Sequence, residues 1–291
     1  MLRIAPSVCV SLLSASRSAG ILVAAMTAVI VATSAVFAHD FWIEPSALRA
    51  PVGTTVKFDL KVGSGKEITV LPRNPERFTK FVIAGPVEVV DVTGVDGSKP
   101  AGFVRPSAPG LYVVAYASKH SVVELEAAKF ESYLKDEGLE NAIKRRSERG
   151  TSKSLGRERY ARCAKSIVTI GDAPHKGFDR SIGLRLELFP EADPRDMAVG
   201  KDGSFRLLFD GKPIEGITVH ASPLDHPEIR VAYRTDAEGR VKIALPTGGA
   251  WRLNAVHMLE LPAGGEQDWE SLWASLVFEI GPAPAPTSPP R

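Results

Sequence analysis

Short runs of β-branched and aromatic residues, separated by Gly and Pro, recur along most of this chain. In the first half they are residues 56–62, 81–85, 87–94 and 111–118. They return in the second half as LRLELFP, SFRLLFDG, ITVHASP, IRVAYRTD, VKIALPTG and WRLNAVHM. Runs of this length between turn residues are typical of β-strands, and many short strands in series are typical of β-sandwiches. We therefore predict a mainly β protein.

The strand pattern divides the chain into two units, for which 291 residues are sufficient. We predict an N-terminal β unit over residues 39–182 and a C-terminal unit over 183–281, each an Ig-like or transthyretin-like sandwich. Polar turns at 211–216 and 235–240 and a Gly-rich turn before Trp251 lie in the second unit. This turn chemistry is similar to that of transthyretin-like and carboxypeptidase-regulatory-like modules.

A helical insertion is predicted within the first unit, over residues about 121–166. The sequence VVELEAAKFESYLKDEGLENAIKRRSER has few strand formers and predicts two helices separated at Gly138. In the segment that follows, Tyr160, Cys163 and Ala164 share one helical side, which predicts a third helix or helical turn before a strand at 167–170.

The two ends of the chain have compositions unlike the rest. Residues 1–38 carry Arg3 and Arg17, no acidic residue, and an apolar run that ends in Val-Phe-Ala. We expect a secretory signal cleaved after Ala38 and export to the periplasm, with a retained membrane anchor as the alternative. Residues 282–291 read PAPAPTSPPR and predict an extended Pro-rich tail.

Charge, cysteine count and motifs exclude several classes of function. Loss of the two signal arginines leaves equal numbers of basic and acidic residues, so we predict no nucleic-acid partner and no stable membrane span after cleavage. Cys163 would be the one remaining cysteine, which we expect to be a small buried residue. The sequence has no H-E-x-x-H, C-x-x-C, G-x-S-x-G or P-loop motif, and we predict no enzymatic activity.

Cleavage after Ala38 would make His39 the first residue of the mature protein. Its free amine and its imidazole can close one ring on a metal ion, and a second imidazole would complete a three-nitrogen set that suits copper, nickel or cobalt. The alternative is that His39 simply begins a frayed terminus. The N-terminal motif with His at the third mature position is excluded, because Phe41 stands there.

His257 is the best candidate for the second imidazole. It ends a predicted strand in which Trp251, Leu253 and Ala255 lie on its own face. The alternative is that this face belongs to the core and that His257 is a hydrogen-bonded interior residue. We predict a divalent transition metal ion (Ni, Co or Cu) bound by His39 and His257, with Asp40 as an oxygen ligand or an orienting group.

Of the remaining histidines, His220 and His226 flank a turn-like segment and could form a second, looser site. His120 and His175 lie in polar connections. None of these four shows the spacing of a metal-ligand motif.

Several motifs resemble a known family. They are His39-Asp40-Phe41-Trp42-Ile43 straight after the signal, Arg73-Asn74-Pro75-Glu76-Arg77, Ala127-Ala128-Lys129-Phe130, Tyr160-Ala161-Arg162, Gly249-Ala250-Trp251, Val256-His257-Met258, and residues 268–276. Together they resemble the bacterial DUF4198 family, exported proteins described as periplasmic components of cobalt or nickel uptake and grouped near NikM-like segments. The resemblance covers nearly the whole mature chain.

The resemblance implies a periplasmic, two-part β-rich protein with a helical insertion, in which His39 and His257 are the candidate ligands. The Met-His start of the related nickel-capture proteins is absent here, which leaves copper and cobalt open beside nickel. We expect metal uptake or delivery, with an inner-membrane metal permease as a partner. The alternatives are a metal-free module that binds an envelope protein or glycan, and a copper oxidase with an N-terminal His brace, for which no flat aromatic substrate face is identified.

Overall fold

We describe a computed structural model of the protein over residues 39–281. The predicted signal, 1–38, and the Pro-rich tail, 282–291, lie outside the described residues. Among residues 39–281, no helix is both long and apolar enough to cross a membrane.

Residues 39–281 form eighteen strands and two α-helices. In chain order they are β1 (Asp40–Pro45), β2 (Arg49–Ala50), β3 (Val56–Ser64), β4 (Glu67–Leu71), β5 (Phe78–Ala84), β6 (Val89–Asp91), β7 (Gly102–Val104), β8 (Gly110–Ser118), β9 (Ser121–Leu125), α1 (Ala127–Asp136), α2 (Glu140–Glu148), β10 (Gly156–Ile170), β11 (Leu186–Pro190), β12 (Lys201–Phe209), β13 (Lys212–Pro213), β14 (Thr218–Pro223), β15 (Val231–Arg234), β16 (Arg240–Leu245), β17 (Gly249–Glu260) and β18 (Trp269–Ile280).

The strands form three sheets. The central sheet has ten strands, eight of them in the order β15-β14-β17-β18-β10-β8-β5-β6, with β2 and β9 also paired to β10. The N-terminal sheet contains β1, β3, β4 and β7, and the C-terminal sheet contains β11, β12, β13 and β16. Strands β10 and β18 pair in parallel, so strands from both halves of the chain belong to one sheet.

Both faces of the central sheet are covered. On the face that we call the front, Leu253 and Ala255 of β17 pack with Leu188 and Phe205 of the C-terminal sheet in one apolar core. Side chains alternate along a strand, so the neighbouring residues of β17 point to the opposite face, which we call the back. In the middle of the sheet, the polar side chains of β14 and of residues 251–256 of β17 are therefore buried.

The back face has two covers. Over β8 and β10, Phe41 of β1 and Phe58 of β3 pack with Val114 and Val168 in a second core. Farther along, helices α1 and α2 pack on β17 and β18 through a third core, in which Phe130, Leu134, Leu139, Val256 and Trp273 meet. The start of β1 lies next to β18 and β10.

The predicted mainly β class and most of the predicted strands are confirmed. The third helix is wrong, because residues 156–170 form the long strand β10. Small residues such as Ala161, Cys163 and Ala164 allow close packing on both faces of this strand, which is paired along its length with β18, β9 and β8. Residues 121–125 are also strand, and the helices begin only at Ala127. The unit boundary at 182/183 stays a prediction.

At Gly138, the backbone that follows helix α1 packs against the central sheet. Its backbone has a φ of +66°, which disfavours any side chain. A Cβ at this position would come within 2.2 Å of Thr218 Oγ1 on β14. The backbone therefore lies directly on Thr218, and this contact positions the preceding residue, Glu137.

We predict that Gly138→Ala costs more stability than Gly150→Ala. Gly150 follows α2 with a φ of +67° but has no atom within 4 Å of an added Cβ, so its substitution costs about 1 kcal/mol of backbone strain. Gly138→Ala adds the clash with Thr218, about 1–3 kcal/mol more. Urea unfolding of both variants measures the difference, and equal losses would contradict the close contact.

A buried carboxyl of β10 makes stability depend on pH. Glu158 lies on the back face beneath α1, where it accepts hydrogen bonds from Tyr133 Oη, at 3.2 Å, and from Ser271 Oγ. Burial raises the pKa of Glu158 to about 7. Between pH 4.5 and 7 the folded protein keeps a proton that the unfolded chain releases, so the free energy of unfolding falls as the pH rises through this window.

We predict that Glu158→Gln flattens this pH dependence. Between pH 5 and pH 8 the native protein should lose roughly 3 kcal/mol more of its unfolding free energy than the variant does. Urea unfolding at both pH values measures this. Glu124→Gln, at an exposed position of β9, is the matched control and should keep the native dependence. A Glu158→Gln variant with the native pH dependence would show that this carboxyl is ionised in the fold.

Candidate functional site

Asp40, the first residue of β1, is buried against two arginines. Its Oδ2 accepts a hydrogen bond from Arg252 Nη2 at 3.0 Å, and its Oδ1 lies 3.7 Å from Arg230 Nη2 without forming one. Arg252 belongs to β17, and its guanidinium stacks over the Trp42 ring at 4.1 Å from the centroid. The side chain of Arg252 is only 2% exposed. Asp40 thus joins the N-terminal sheet to the back face of the central sheet.

Glu137 approaches the same place from helix α1. Both of its carboxylate oxygens accept hydrogen bonds from Arg230 Nη2, at 2.9 and 2.8 Å. Its Oε2 also lies 3.7 Å from Nε2 of His220 on β14. Arg230 therefore lies between Asp40 and Glu137, and the contacts form a continuous series from Asp40 to His220.

The floor of the site is polar across three strands. His220 of β14 stands opposite Asn254 of β17, which stands opposite Ser275 of β18. In the next row, Ser222 stands opposite Arg252. All of these side chains are buried. We call the region where this floor, the start of β1 and the end of α1 meet the chamber.

Many polar atoms around the chamber are buried and lack a hydrogen-bond partner. They are His39 Nδ1, Asp40 Oδ1, both ring nitrogens of His220, Arg230 Nε, Arg252 Nε and Ser275 Oγ. Buried polar groups are normally hydrogen-bonded, because leaving one unpaired costs about 1–3 kcal/mol. This concentration of unpaired atoms around the chamber distinguishes it from the apolar cores.

Burial changes the charge states in the chamber. It raises the pKa of Glu137 to about 7, although Arg230 acts to lower it. Burial and the positive charge of Arg230 lower the pKa of His220 to about 3. At neutral pH His220 is therefore a neutral imidazole, the form that binds metal ions.

The structure does not bring His257 together with Asp40. His257 lies on the front face, where its ring packs at 4.7 Å on Phe209 of the C-terminal sheet. Burial and the neighbouring Arg185 lower its pKa. Arg252, the partner of Asp40, has the opposite parity on the same strand and points to the back. His39 immediately precedes β1, and its Nδ1 is buried without a hydrogen-bond partner.

A second group of possible ligands lies elsewhere, formed by His175, Asp193 and Asp196. Among the described residues, this is the one group of at least three His, Cys, Asp or Glu side chains whose ligand atoms lie within 4.8 Å of one another. Both oxygens of Asp193 already accept hydrogen bonds from Arg195. This guanidinium would repel a bound cation, as Arg230 and Arg252 would in the chamber.

Sequence reasoning named His39 and Asp40 as ligands, did not single out Glu137, Arg230 or Arg252, and treated His220 as a secondary candidate. A signal for His220 was present in the run Thr218-Val-His-Ala-Ser-Pro223, where polar and apolar residues alternate. Such alternation is ordinarily typical of a strand with one solvent face. Here both faces of the central sheet are covered, so the polar residues of this strand are buried.

Comparisons with known proteins identify the family but no activity. No curated protein sequence matches this chain. Among solved structures, the D0-D1 domain of intimin is 11% identical, with 82% of this chain and 97% of that one covered and a TM-score of 0.20. Fibronectin(III)-like modules of Clostridium thermocellum CbhA are 8% identical, with 82% and 94% covered and a TM-score of 0.18. At these TM-scores the likenesses carry no argument about function.

A family model does match most of the chain. It is described as a domain of unknown function, DUF4198, and it matches residues 36–259. This range begins just before β1 and includes the helices, β14 and most of β17, so every residue of the chamber except Ser275 lies within it. The resemblance noted from the sequence motifs is thereby confirmed, and this chain belongs to the DUF4198 family.

Proposed function

We propose that this protein binds a divalent transition metal ion in the chamber and assists its uptake or delivery outside the cytoplasm. His39 and His220 supply imidazole nitrogens in this proposal, and Glu137 or Asp40 supplies oxygen. Nickel, cobalt and copper all accept such a mixed set. His220 thus takes the role that sequence reasoning assigned to His257.

The single observation that carries the proposal is the state of His220. Its side chain is 6% exposed, and neither ring nitrogen has a hydrogen-bond partner. A neutral imidazole that is buried without partners is costly in a fold that needs it only for packing. Metal binding would explain why the fold bears this cost. A hydrogen-bond partner on either ring nitrogen of His220 would have to be displaced before a metal ion could bind there.

The position of His39 adds a second nitrogen source. Cleavage after Ala38 would place a free amine at His39, next to Asp40. Since such an amine has an ordinary pKa near 7.7–8.0, displacing its proton at neutral pH costs a metal ion only about 1 kcal/mol. The possible metal ligands of the chamber lie farther from one another than the ligand atoms of His175, Asp193 and Asp196 do. Metal binding there therefore includes reorientation of the imidazoles.

The role proposed is binding rather than catalysis. The chamber contains no nucleophile paired with a base, and its charged groups are engaged with one another. Export through the predicted signal would place the site in the periplasm, where a binding protein can buffer a metal ion or deliver it to an inner-membrane permease.

We predict that His220→Ala lowers the affinity for Ni(II) or Cu(II) more than about 100-fold, since loss of even an outer-shell partner costs 10–100-fold. Calorimetric titration of a chain beginning at His39 measures this. His226→Ala is the matched control, because His226 lies nearby on an exposed turn with only acidic neighbours, and it should bind as the native chain does. His257→Ala should also bind normally.

The same titration tests whether the N-terminal amine of His39 is a metal ligand. A chain with one extra Ala before His39 should bind at least ten times more weakly, because the amine is then out of place. Equal binding by the extended chain would remove the amine from the ligand set. If His257→Ala abolishes binding and His220→Ala does not, the chamber is the wrong site.

The second candidate is a metal-free module that binds an envelope protein or glycan. The observation in its favour lies at the far end of the central sheet, where the edge strand β6 exposes Val89 and Val90. Beside it, a groove of about 410 Å³ is lined by Val87, Phe103 and Tyr112, among others. Exposed strand edges of this kind can pair with a partner chain. This function predicts that His39 and His220 are replaceable.

A further inference from the structure

His175 lies in the loop that follows β10, and its ring faces the turn that follows β11. Its Nδ1 lies 2.8 Å from Asp196 Oδ2 and 3.4 Å from Asp193 Oδ2. A metal ion with ligands at about 2.0–2.2 Å holds neighbouring ligand atoms about 3.0–3.4 Å apart. One nitrogen of His175 is therefore already spaced from both carboxylates as the ligands of a single ion are from one another.

Arg195 holds the two parts of this group in place. It donates to both oxygens of Asp193, from Nε at 3.0 Å and from Nη2 at 2.6 Å. It also donates to the carbonyl oxygens of Ala173 and Pro174, just before His175. A carboxylate oxygen has two lone pairs, so Asp193 Oδ2 can accept from Arg195 and still bind an ion. Carboxylates that ligate metal ions are usually hydrogen-bonded in this way.

The positive charge of Arg195 is more than balanced by the acidic residues around it. Asp193 and Asp196 carry two negative charges, and Asp172 also interacts electrostatically with the guanidinium. With His175 neutral, three carboxylates around one guanidinium leave an excess of two negative charges. A divalent cation would neutralise this excess, which offsets its repulsion by Arg195. In the chamber, by contrast, two arginines already balance two carboxylates.

We propose that His175, Asp193 and Asp196 form a second metal site, separate from the chamber, which takes a divalent ion such as Mn(II) or Zn(II). Carboxylate oxygens suit Mn(II) and imidazole suits Zn(II), and this group offers both kinds of ligand. The side chains of His175 and Asp196 are 59% and 58% exposed, so the ion would bind directly from solvent and keep water on its remaining positions. It would join the loop after β10 to the turn after β11.

A Mn(II) titration followed by EPR tests this site, because the sharp signal of free Mn(II) is lost on binding. The chain beginning at His39 would carry His220→Ala, so that the chamber does not contribute. We expect one bound Mn(II) per chain in this background, displaced by Zn(II). Adding His175→Ala or Asp196→Asn should weaken binding at least about tenfold, since loss of even an outer-shell partner costs 10–100-fold. Circular dichroism checks that these variants fold.

Two matched controls distinguish coordination from the effect of charge. His226 also has two acidic neighbours, but Asp225 approaches its Nε2 and Glu228 approaches its Nδ1. The two carboxylates therefore cannot share one ion with a single ring nitrogen, and adding His226→Ala should leave Mn(II) binding unchanged. Asp172→Asn removes a negative charge but no ligand. It should weaken binding less than about fivefold, which is the effect of an exposed charge pair.

The result that would overturn the site is Mn(II) binding that His175→Ala leaves unchanged, or no Mn(II) binding in the His220→Ala background. An Asp172→Asn loss as large as the Asp196→Asn loss would also overturn it, since the acidic residues would then attract cations without coordinating them. The chamber is tested by the nickel and copper titrations of the native chain and of His220→Ala. Either site can therefore fail while the other stands.

Discussion

Coverage of the central sheet on both faces is the constraint on which the rest of this structure depends. A sheet with one solvent face can hold any polar residue on that face, whereas here each back-face side chain must find a partner in the N-terminal sheet, in a helix or in another back-face residue. The hydrogen bond between Arg252 and Asp40 meets this requirement and at the same time attaches the first strand to the penultimate one. The same requirement fixes where α1 must end, because Glu137 is the partner of Arg230.

The chamber lies where the two back-face covers meet. Phe41 and Ile43 fill the space on one side, and Phe130 and Trp273 fill it on the other. Between them the fold places charged and polar groups where an apolar core would be more stable. Polar groups retained in such a position at a cost in stability are characteristic of sites that act on a ligand. The chamber is therefore one candidate site, and the exposed group of His175, Asp193 and Asp196 is the other.

Much of the fold follows from the sequence. Most strands were located from alternating or apolar runs between Gly and Pro, because this pattern depends only on residues close together in the sequence. Strand β10 could not be recognised in this way, since Tyr160, Cys163 and Ala164 fit a helical side and only pairing with β18 and β8 makes the segment extended. For the site, sequence reasoning selected His39 and Asp40 because they follow the predicted signal. His220 and Arg252 were not recognisable, because whether a polar residue in a strand is buried depends on what covers the sheet.

The last strand of residues 39–281 lies in the middle of the central sheet. Strand β18 is inserted between β17 and β10, and its parallel pairing with β10 spans more than a hundred residues of sequence. Until β18 is available, the sheet consists of two parts, and β17 and β10 each present an open edge. Contacts this distant form slowly. Because synthesis proceeds from the N-terminus, the central sheet cannot be completed until β18 has been made.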